Sequence, residues 1–314
     1  MRWATGCIDM AGMELAERPP GAITKVAAER EAFCQSAGLQ LRVREWGSVD
    51  APPIVLLHGL RGYSGTWRGL AAAMQGDWRL IAIDQRGRGE SDWDPARNYY
   101  TDAYLDDLAA LVDGLGLRRF ALLGHSMGGT TAYCYAARHP DRVDALIIED
   151  IAPGSSVRGA GAERIRAEMA ALPSDFADWG EARAYWRRTR PSVSEAALEE
   201  RLAESLRETA DGRIGWRYDA AGISQTRIDP DPARVVDLWP VVDAIRTPAL
   251  IIRGERSDFC NLQTVLEMER RNQAFRHVTV GAASHYVHDD APSLYHGLVQ
   301  GFLAGVAATR GAQA

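Results

Sequence analysis

Short runs of apolar residues, each free of polar interruption, constrain the fold of this chain more than any other sequence feature. Strands that are buried on both faces have this pattern, and they belong to parallel sheets covered by helices. The runs lie at 54–57, 80–83, 120–123, 145–148 and 249–252. Helical periodicity separates several of them, with candidate helices at 66–75, 102–115 and 127–138. This alternation predicts an α/β fold with a mostly parallel, doubly wound sheet.

The alternation also predicts how the chain is divided. Residues 1–38 are polar and are expected to form an N-terminal extension, with one helix around 24–36. From 154 to 240 helical periodicity continues without a comparable buried strand, and strand–helix alternation resumes afterwards. We therefore predict an α/β core made of 39–153 and 241–314, into which residues 154–240 are inserted as a helical cap.

Composition and charge exclude several classes of protein. The 36 basic and 42 acidic residues give a net charge of −6, whereas a general nucleic-acid binder would carry a basic excess. No apolar stretch approaches the ~20 residues that span a bilayer. Acidic residues near the N-terminus interrupt the apolar segment that a secretory signal would need. The four cysteines lie far apart without a metal-binding spacing. We expect a cytoplasmic protein without metal or cofactor, and the sequence does not specify its oligomeric state.

The segment 120–129 has the pattern of a strand that turns sharply into a helix around one serine. The apolar run enters the sequence GHSMG at 124–128, which fits G-x-S-x-G, and a helical pattern follows it. Glycines on both sides of the serine let the backbone reverse without a clash. The turn places Ser126 at the carboxyl end of the sheet, where open α/β folds bind ligands. We expect Ser126 to be a nucleophile; a glycine-rich phosphate site is the alternative.

A serine nucleophile needs a base and an orienting carboxylate, in the chain order serine, acid, histidine. Asp258 follows the buried run at 249–252, and His285 lies in a small-residue loop after the next strand pattern. Both are at strand ends, so we predict Asp258 as the acid and His285 as the base. Two alternatives remain open: Asp150, at the end of another strand, as the acid, and His288 as the base.

Two backbone N–H groups are expected to stabilise the oxyanion. One belongs to Met127, which follows the nucleophile, and the other to Leu60, in the turn after the run at 54–57. His58 in the same turn is expected to shape the loop and to take no part in acid–base catalysis. The loop at 84–92, rich in glycine and charge, lacks the spacing of a dinucleotide-binding motif and is interpreted as structural.

These motifs together resemble the α/β-hydrolase superfamily, in its serine-nucleophile branch. The matching pieces are HGL at 58–60, DQRGRGESD at 84–92, GHSMGG at 124–129, GERSD at 254–258 and SHYVHDDAP at 284–292. The resemblance covers about 39–307. Within this superfamily, the sequence is similar to small bacterial carboxylesterases with a helical cap. It implies a Ser126–Asp258–His285 triad and disfavours the activities of members with an aspartate nucleophile.

The predicted cap is rich in arginines and aromatic residues. Among them are Arg183, Arg187, Arg188, Arg190, Trp179, Tyr185, Trp186, Trp216 and Tyr218. One interpretation is solvated helix faces with aromatic anchors on the core. The other is that one arginine points inward and binds a substrate carboxylate as a fork. Arg61, next to the predicted oxyanion residue, and Trp186 are our candidate substrate-binding residues.

The sequence therefore predicts a serine hydrolase that cleaves a small carboxylic ester or lactone through an acyl-enzyme on Ser126. One alternative keeps the triad but hydrolyses a carbon–carbon bond, as meta-cleavage-product hydrolases of the superfamily do. Another is a ligand-binding or regulatory protein on a hydrolase fold, since fold alone does not fix function. In each case the expected partner is a small, ester-like molecule.

Overall fold

An eight-stranded sheet forms the centre of the structure, a computed structural model that describes residues 29–155, 157–191 and 193–311. The strands of this sheet and of a second, three-stranded sheet are, in chain order, β1 (Arg30–Ser36), β2 (Leu39–Trp46), β3 (Pro53–Leu57), β4 (Arg79–Ile83), β5 (Phe120–His125), β6 (Val143–Glu149), β7 (Asp175–Phe176), β8 (Leu206–Glu208), β9 (Ile214–Trp216), β10 (Ala249–Gly254) and β11 (Phe275–Val280). The central order is β1-β2-β4-β3-β5-β6-β10-β11. β2 pairs antiparallel with β1 and β4, and all other neighbours are parallel. The predicted α/β fold with a mostly parallel sheet is confirmed.

Helices cover both faces of this sheet and also make up most of the segment between β6 and β10. They are α1 (Arg68–Met74), α2 (Thr101–Gly114), α3 (Met127–Arg138), α4 (Ala160–Ala170), α5 (Trp179–Thr189), α6 (Glu195–Ser205), α7 (Ala220–Ile228), α8 (Leu238–Ala244), α9 (Leu262–Arg271), α10 (Val287–Asp290) and α11 (Pro292–Gly311). One apolar layer lies under α2 and α3, and a second lies under α1 and α11. Strands such as β3 contribute alternate residues to the two layers, which explains their uninterrupted apolar sequence. None of the helices in the described ranges is both long and apolar enough to cross a membrane.

The N-terminal boundary of the core differs from the prediction. The helix expected around 24–36 falls partly outside the described residues, and its described end is strand β1, paired with β2. Ala37 (φ 49°) and Gly38 (φ 81°) make the two-residue turn between them, the conformation that tight hairpins require. Cross-strand pairing has overridden local helix propensity here. The sheet therefore begins at Arg30, before the predicted boundary at residue 39.

The segment between β6 and β10 holds α4 to α7 and a small antiparallel sheet in the order β7-β9-β8. We call α4 to α7 with this sheet the cap. The sequence predicted helices only; the strands were missed because each has two or three residues, too few to show a period. Trp216 of β9 joins an aromatic cluster with Phe176, Tyr185 and Trp186. This cluster ties the small sheet to α5.

Candidate active site

The turn between β5 and α3 holds Ser126 in a conformation that few non-glycine residues adopt. Its backbone has φ 52° and ψ −116°, and such strain is typical of functional sites. A Cβ atom on Gly124 would lie 2.3 Å from the Gly128 carbonyl oxygen, and one on Gly128 would lie 2.4 Å from the Leu57 carbonyl oxygen. Both glycines are therefore required for β5, α3 and β3 to meet. Ser126 lines a cavity beneath the cap.

The structure brings His285 to Ser126 as expected, but it supplies a different carboxylate. Nε2 of His285 lies 2.9 Å from Ser126 Oγ, and Nδ1 lies 2.7 Å from Asp150 Oδ2. Asp150 directly follows β6, is fully buried and has φ 55°. The Gly254 N–H donates to its Oδ1 at 2.8 Å, and the Ser257 hydroxyl donates to its Oδ2. These two donors and the imidazole fix the carboxylate in place.

The prediction that Asp258 orients His285 is wrong in geometry. Asp258 is partly exposed and forms a two-pronged ion pair with Arg164 of the cap, at 2.7 and 3.0 Å. Hydrogen bonding to Arg164 lowers the pKa of Asp258. The next residue, Phe259, does reach the site, because its ring stacks on the His285 imidazole at 4.3 Å between centroids. The loop after β10 therefore supports the histidine through Phe259, while Asp258 links the core to the cap.

The two predicted oxyanion donors, Leu60 and Met127, lie beside Ser126 in the wall of the cavity. Within the described ranges, neither N–H donates to a protein acceptor, so both are available for a ligand. Arg88 connects the two residues: its Nε donates to the Leu60 carbonyl at 2.9 Å, and its Nη2 lies 3.2 Å from Met127 Sδ. The loop at 84–92, interpreted from sequence as structural, thus supports the residues that offer these donors.

His58 shapes the turn that carries Leu60, as expected. Its Nε2 accepts the Gln85 N–H at 3.1 Å, and its Nδ1 lies 2.8 Å from the Gly59 carbonyl oxygen. Burial and the nearby Arg88 charge lower the pKa of His58 to about 4. The ring is therefore neutral near pH 7 and holds the loop by hydrogen bonds.

A second histidine–carboxylate pair lies next to the first one. His288 Nδ1 is 2.7 Å from Glu149 Oε1, and the His125 ring lies between His288 and His285, at 5.0 and 4.8 Å between centroids. Although burial opposes it, the Glu149 charge raises the pKa of His288. His288 is therefore paired with Glu149, whereas His285 is the histidine that lies within hydrogen-bond distance of Ser126 Oγ.

The second pair and His125 together form a group that could hold a metal ion, the one such group within residues 29–155, 157–191 and 193–311. His125, Glu149 and His288 each offer one ligand atom, and these atoms lie within 4.8 Å of one another. Histidine nitrogens and carboxylate oxygens suit zinc. However, His288 and Glu149 already satisfy each other by a hydrogen bond, which a metal ion would have to replace. The arrangement of Ser126, His285 and Asp150 needs no metal for its chemistry.

Both predicted substrate-binding residues, Trp186 and Arg61, line the cavity. Arg61 is already engaged, because its guanidinium donates to Glu168 at 2.8 Å and to the Tyr185 hydroxyl at 3.2 Å. Trp186 is buried between the guanidiniums of Arg61 and Arg201. Arg190 also lines the cavity. Sequence alone did not distinguish it from Arg187 and Arg188 on the same segment.

Comparisons with known proteins agree with this geometry. A family model described as "alpha/beta hydrolase fold" matches residues 52–292. The chain is 32% identical, over 86% of its length and 97% of the relative's, to a Bacillus subtilis (strain 168) protein provisionally named 2-succinyl-6-hydroxy-2,4-cyclohexadiene-1-carboxylate synthase. It is 30% identical to an esterase of Mycobacterium tuberculosis (strain ATCC 25618 / H37Rv), over 82% of this chain and 84% of the esterase.

Solved structures show the same relationship. The crystal structure of E-2-(acetamidomethylene)succinate hydrolase superposes with a TM-score of 0.79 at 26% identity, covering 88% of this chain and all of that one. The family match, the relatives and the placement of Ser126 and His285 at the carboxyl edge of the sheet point to one conclusion. The chain belongs to the α/β-hydrolase family and is an enzyme.

Proposed function

We propose that this enzyme hydrolyses a small carboxylic ester or lactone, with Ser126 as nucleophile, His285 as base and Asp150 as the orienting acid. The observation that carries the proposal is the continuous hydrogen-bonded path from Ser126 Oγ through both nitrogens of His285 to Asp150 Oδ2, at 2.9 and 2.7 Å. A serine hydroxyl needs such a base to become nucleophilic.

In the first half-reaction, Ser126 Oγ attacks the carbonyl carbon of the ester while its proton passes to His285 Nε2. Asp150 holds the Nδ1–H of the imidazole and stabilises the imidazolium that forms. The negative oxygen of the tetrahedral intermediate accepts hydrogen bonds from the N–H groups of Leu60 and Met127, an arrangement that typically contributes about 3–4 kcal/mol. The intermediate collapses, the alcohol oxygen takes the proton from His285, and the acyl group remains on Ser126.

In the second half-reaction, water replaces the alcohol. His285 Nε2 takes a proton from the water molecule as its oxygen attacks the acyl carbon of the Ser126 ester. Collapse of the new intermediate returns the proton to Ser126 Oγ and releases the carboxylic acid. Neither half-reaction needs a cofactor or a redox partner.

Names of relatives support hydrolysis without fixing the substrate. The esterase relative favours an ester, whereas the relative provisionally named as a synthase and the structural neighbour named as a hydrolase of an acetamidomethylene-substituted succinate indicate that this architecture serves several reactions. Because these names cover different reactions, a direct assay of ester cleavage is required.

The test is hydrolysis of p-nitrophenyl butyrate near pH 8 by wild type and by Ser126→Ala. We expect kcat to fall by at least about 10⁴-fold in the variant, and a fluorophosphonate to label wild type at Ser126. Ser174→Ala is the matched control, because Ser174 is exposed and bonds only Asp175; it should keep wild-type activity. Retained turnover in Ser126→Ala, or a folded wild type that cleaves neither esters nor lactones, would refute the proposal. Cleavage of a vinylogous diketone alone would replace it with carbon–carbon hydrolysis.

A further inference from the structure

The cavity beside Ser126 carries an unusual concentration of positive charge. Four guanidiniums line it, from Arg61, Arg190, Arg201 and Arg227. A buried charge is costly unless it is paired, because water that would solvate it is excluded. The number of carboxylates that neutralise these four arginines therefore decides whether the cavity is ready for an anionic ligand.

Two of the four arginines have carboxylate partners. Arg61 is paired with Glu168 at 2.8 Å, and Arg201 is paired with Asp289. Both carboxylates are shared: Glu168 also accepts from Arg164 at 2.6 Å, and Asp289 lies 3.8 Å from the imidazole of His288. Both carboxylates also attract Arg190 electrostatically, but within the described ranges neither forms an ion pair with it.

Arg190 has no such partner. Across residues 29–155, 157–191 and 193–311, its side chain forms neither an ion pair nor a hydrogen bond, and its guanidinium lies 3.3 Å from the centroid of the Tyr286 ring. Tyr286 in turn packs edge-on against His285, at 5.1 Å between centroids. Stacking of this kind fixes the plane of the guanidinium and leaves its N–H edge available. The free donors of Arg190 are thereby held next to the base.

The surroundings of Arg190 are also charged in a way that favours an anion. Burial and the guanidiniums of Arg201 and Arg61 lower the pKa of Arg190, since each makes a further positive charge less stable. A carboxylate entering the cavity would relieve this repulsion and replace the lost hydration. An arginine fork and a carboxylate form two parallel hydrogen bonds, the strongest pairing of this type.

Arg227 is a less suitable partner for a substrate anion. It lines the same cavity without a carboxylate partner in the described ranges, but it also borders a second cavity with Tyr99 and Tyr100. Its guanidinium donates to the Thr226 carbonyl at 3.3 Å. No aromatic ring adjacent to the base holds it, so its position is less closely tied to the reacting groups.

We propose that Arg190 binds a carboxylate group carried by the substrate, so that this enzyme prefers acidic esters, such as those of short dicarboxylic acids, to neutral esters of similar size. This inference rests on the proposed ester hydrolysis by Ser126 and adds the substrate class. The same cavity that holds the nucleophile thereby selects its substrate by charge.

The experiment compares kcat/KM for neutral and acidic esters in five proteins: wild type, Arg190→Gln, Arg190→Lys, Arg227→Gln and Arg188→Gln. The neutral substrates are p-nitrophenyl butyrate and phenyl butyrate. The acidic ones are mono-p-nitrophenyl succinate and glutarate, with the carboxylate on the acyl side, and 4-carboxyphenyl butyrate, with it on the alcohol side. Arg188 is the matched control because it lies two residues before Arg190, in the last turn of α5, is exposed and has its guanidinium 5.7 Å from the centroid of the Tyr185 ring.

We expect wild type to prefer at least one acidic ester, and Arg190→Gln to lower the ratio of acidic to neutral kcat/KM by about ten- to a hundredfold. Arg190→Lys should retain part of the preference, because the charge remains while the fork is lost. Arg188→Gln should behave as wild type. Free glutarate should inhibit wild type competitively and inhibit Arg190→Gln more weakly.

Three outcomes would overturn the inference: no preference for any acidic ester in wild type, equal losses on acidic and neutral esters in both Arg190 variants, or a preference that Arg227→Gln abolishes and Arg190→Gln leaves intact. All three still allow Ser126-dependent cleavage of neutral esters. Failure of wild type on every ester would instead refute the proposed function itself.

Discussion

The two walls of the cavity differ in how completely their charges are satisfied. On the core wall, His285 is paired with Asp150 and His288 with Glu149, and Asp150 also accepts a hydrogen bond from the Gly254 N–H at the end of β10. On the cap wall, Arg190 and Arg227 have no carboxylate partner in the described ranges, and Arg201 depends on Asp289 from the core. The proposed roles divide along this difference: the core wall is proposed to carry the reaction, and the cap wall is proposed to select the substrate.

The largest expected effect tests the assignment of the acid on the core wall. Asp150→Asn should lower kcat about 10³- to 10⁴-fold on every ester, because an amide does not hold the reactive tautomer of His285. Asp258→Asn is the matched variant. It removes a partly exposed ion pair with Arg164 and should cost about 1 kcal/mol of stability or less, with kcat within about threefold of wild type.

Steady-state kinetics and thermal melts of these two variants decide between the carboxylates. If Asp258→Asn were the more damaging variant for kcat, the acid would lie on the loop after β10, as the sequence suggested. That result would also contradict the separation of roles between the two walls, because Asp258, which links the core to the cap, would then be part of the catalytic machinery.

A smaller effect is expected for Arg88, which we regard as a positioning residue for the oxyanion donors. Arg88→Met should lower kcat by about tenfold or more on neutral and acidic esters alike, since it removes the hydrogen bond to the Leu60 carbonyl. KM should change little, and Arg88→Lys should restore part of kcat. Arg190 variants should differ from this pattern, because they should change the ratio of kcat/KM for acidic esters to that for neutral esters.

The control for Arg88 is Arg86→Lys, in the same loop. Arg86 bonds Asp107 and Asp94 and contacts neither oxyanion residue. Loss of stability without loss of kcat is therefore expected there. Equal kcat in Arg88→Met and wild type, with both folded, would show that the oxyanion residues are positioned without this arginine.

The smallest effect concerns stability against acid. All seven histidines lie outside residues 154–240, so acid titration should act mainly on the core. The pKa of His58 is about 4 in the folded protein, below its ordinary value of 6.5. Between these values the unfolded chain binds a proton that the native chain does not, so the free energy of unfolding falls as pH drops from 6.5 to 4, by at most about 1.4 kcal/mol per pH unit for this residue.

Urea unfolding of wild type and His58→Gln between pH 7.5 and 4.5 checks this prediction. The variant should be less stable at pH 7.5 but show a shallower dependence on pH. An unchanged slope in His58→Gln would show that other groups govern the acid sensitivity of the core wall.

Sequence patterns alone were sufficient for the parallel strands of the central sheet, the serine turn and the histidine beside Ser126, whereas β1 and the small sheet of the cap were missed. Uninterrupted apolar runs require strands covered on both faces, and Gly124 is required by its contact with Gly128 inside the turn, whereas Gly128 is required by the Leu57 carbonyl of β3. Chain order then limited the base to the strand-end loops near the C-terminus.

The acid and the charge of the cavity were decided by tertiary structure. Asp150 and Asp258 follow adjacent parallel strands, and both satisfy the order serine, acid, histidine; only the packing of Arg164 against Asp258 and of Gly254 against Asp150 separates them. The adjacent pair Glu149–Asp150 at a strand end was the available signal, but it did not outweigh the position of Asp258. Likewise, Arg190 differs from Arg188 only in the direction it faces and in what it contacts. Which carboxylate meets which cation depends on side chains far apart in the chain, and for that reason composition and spacing could not determine it.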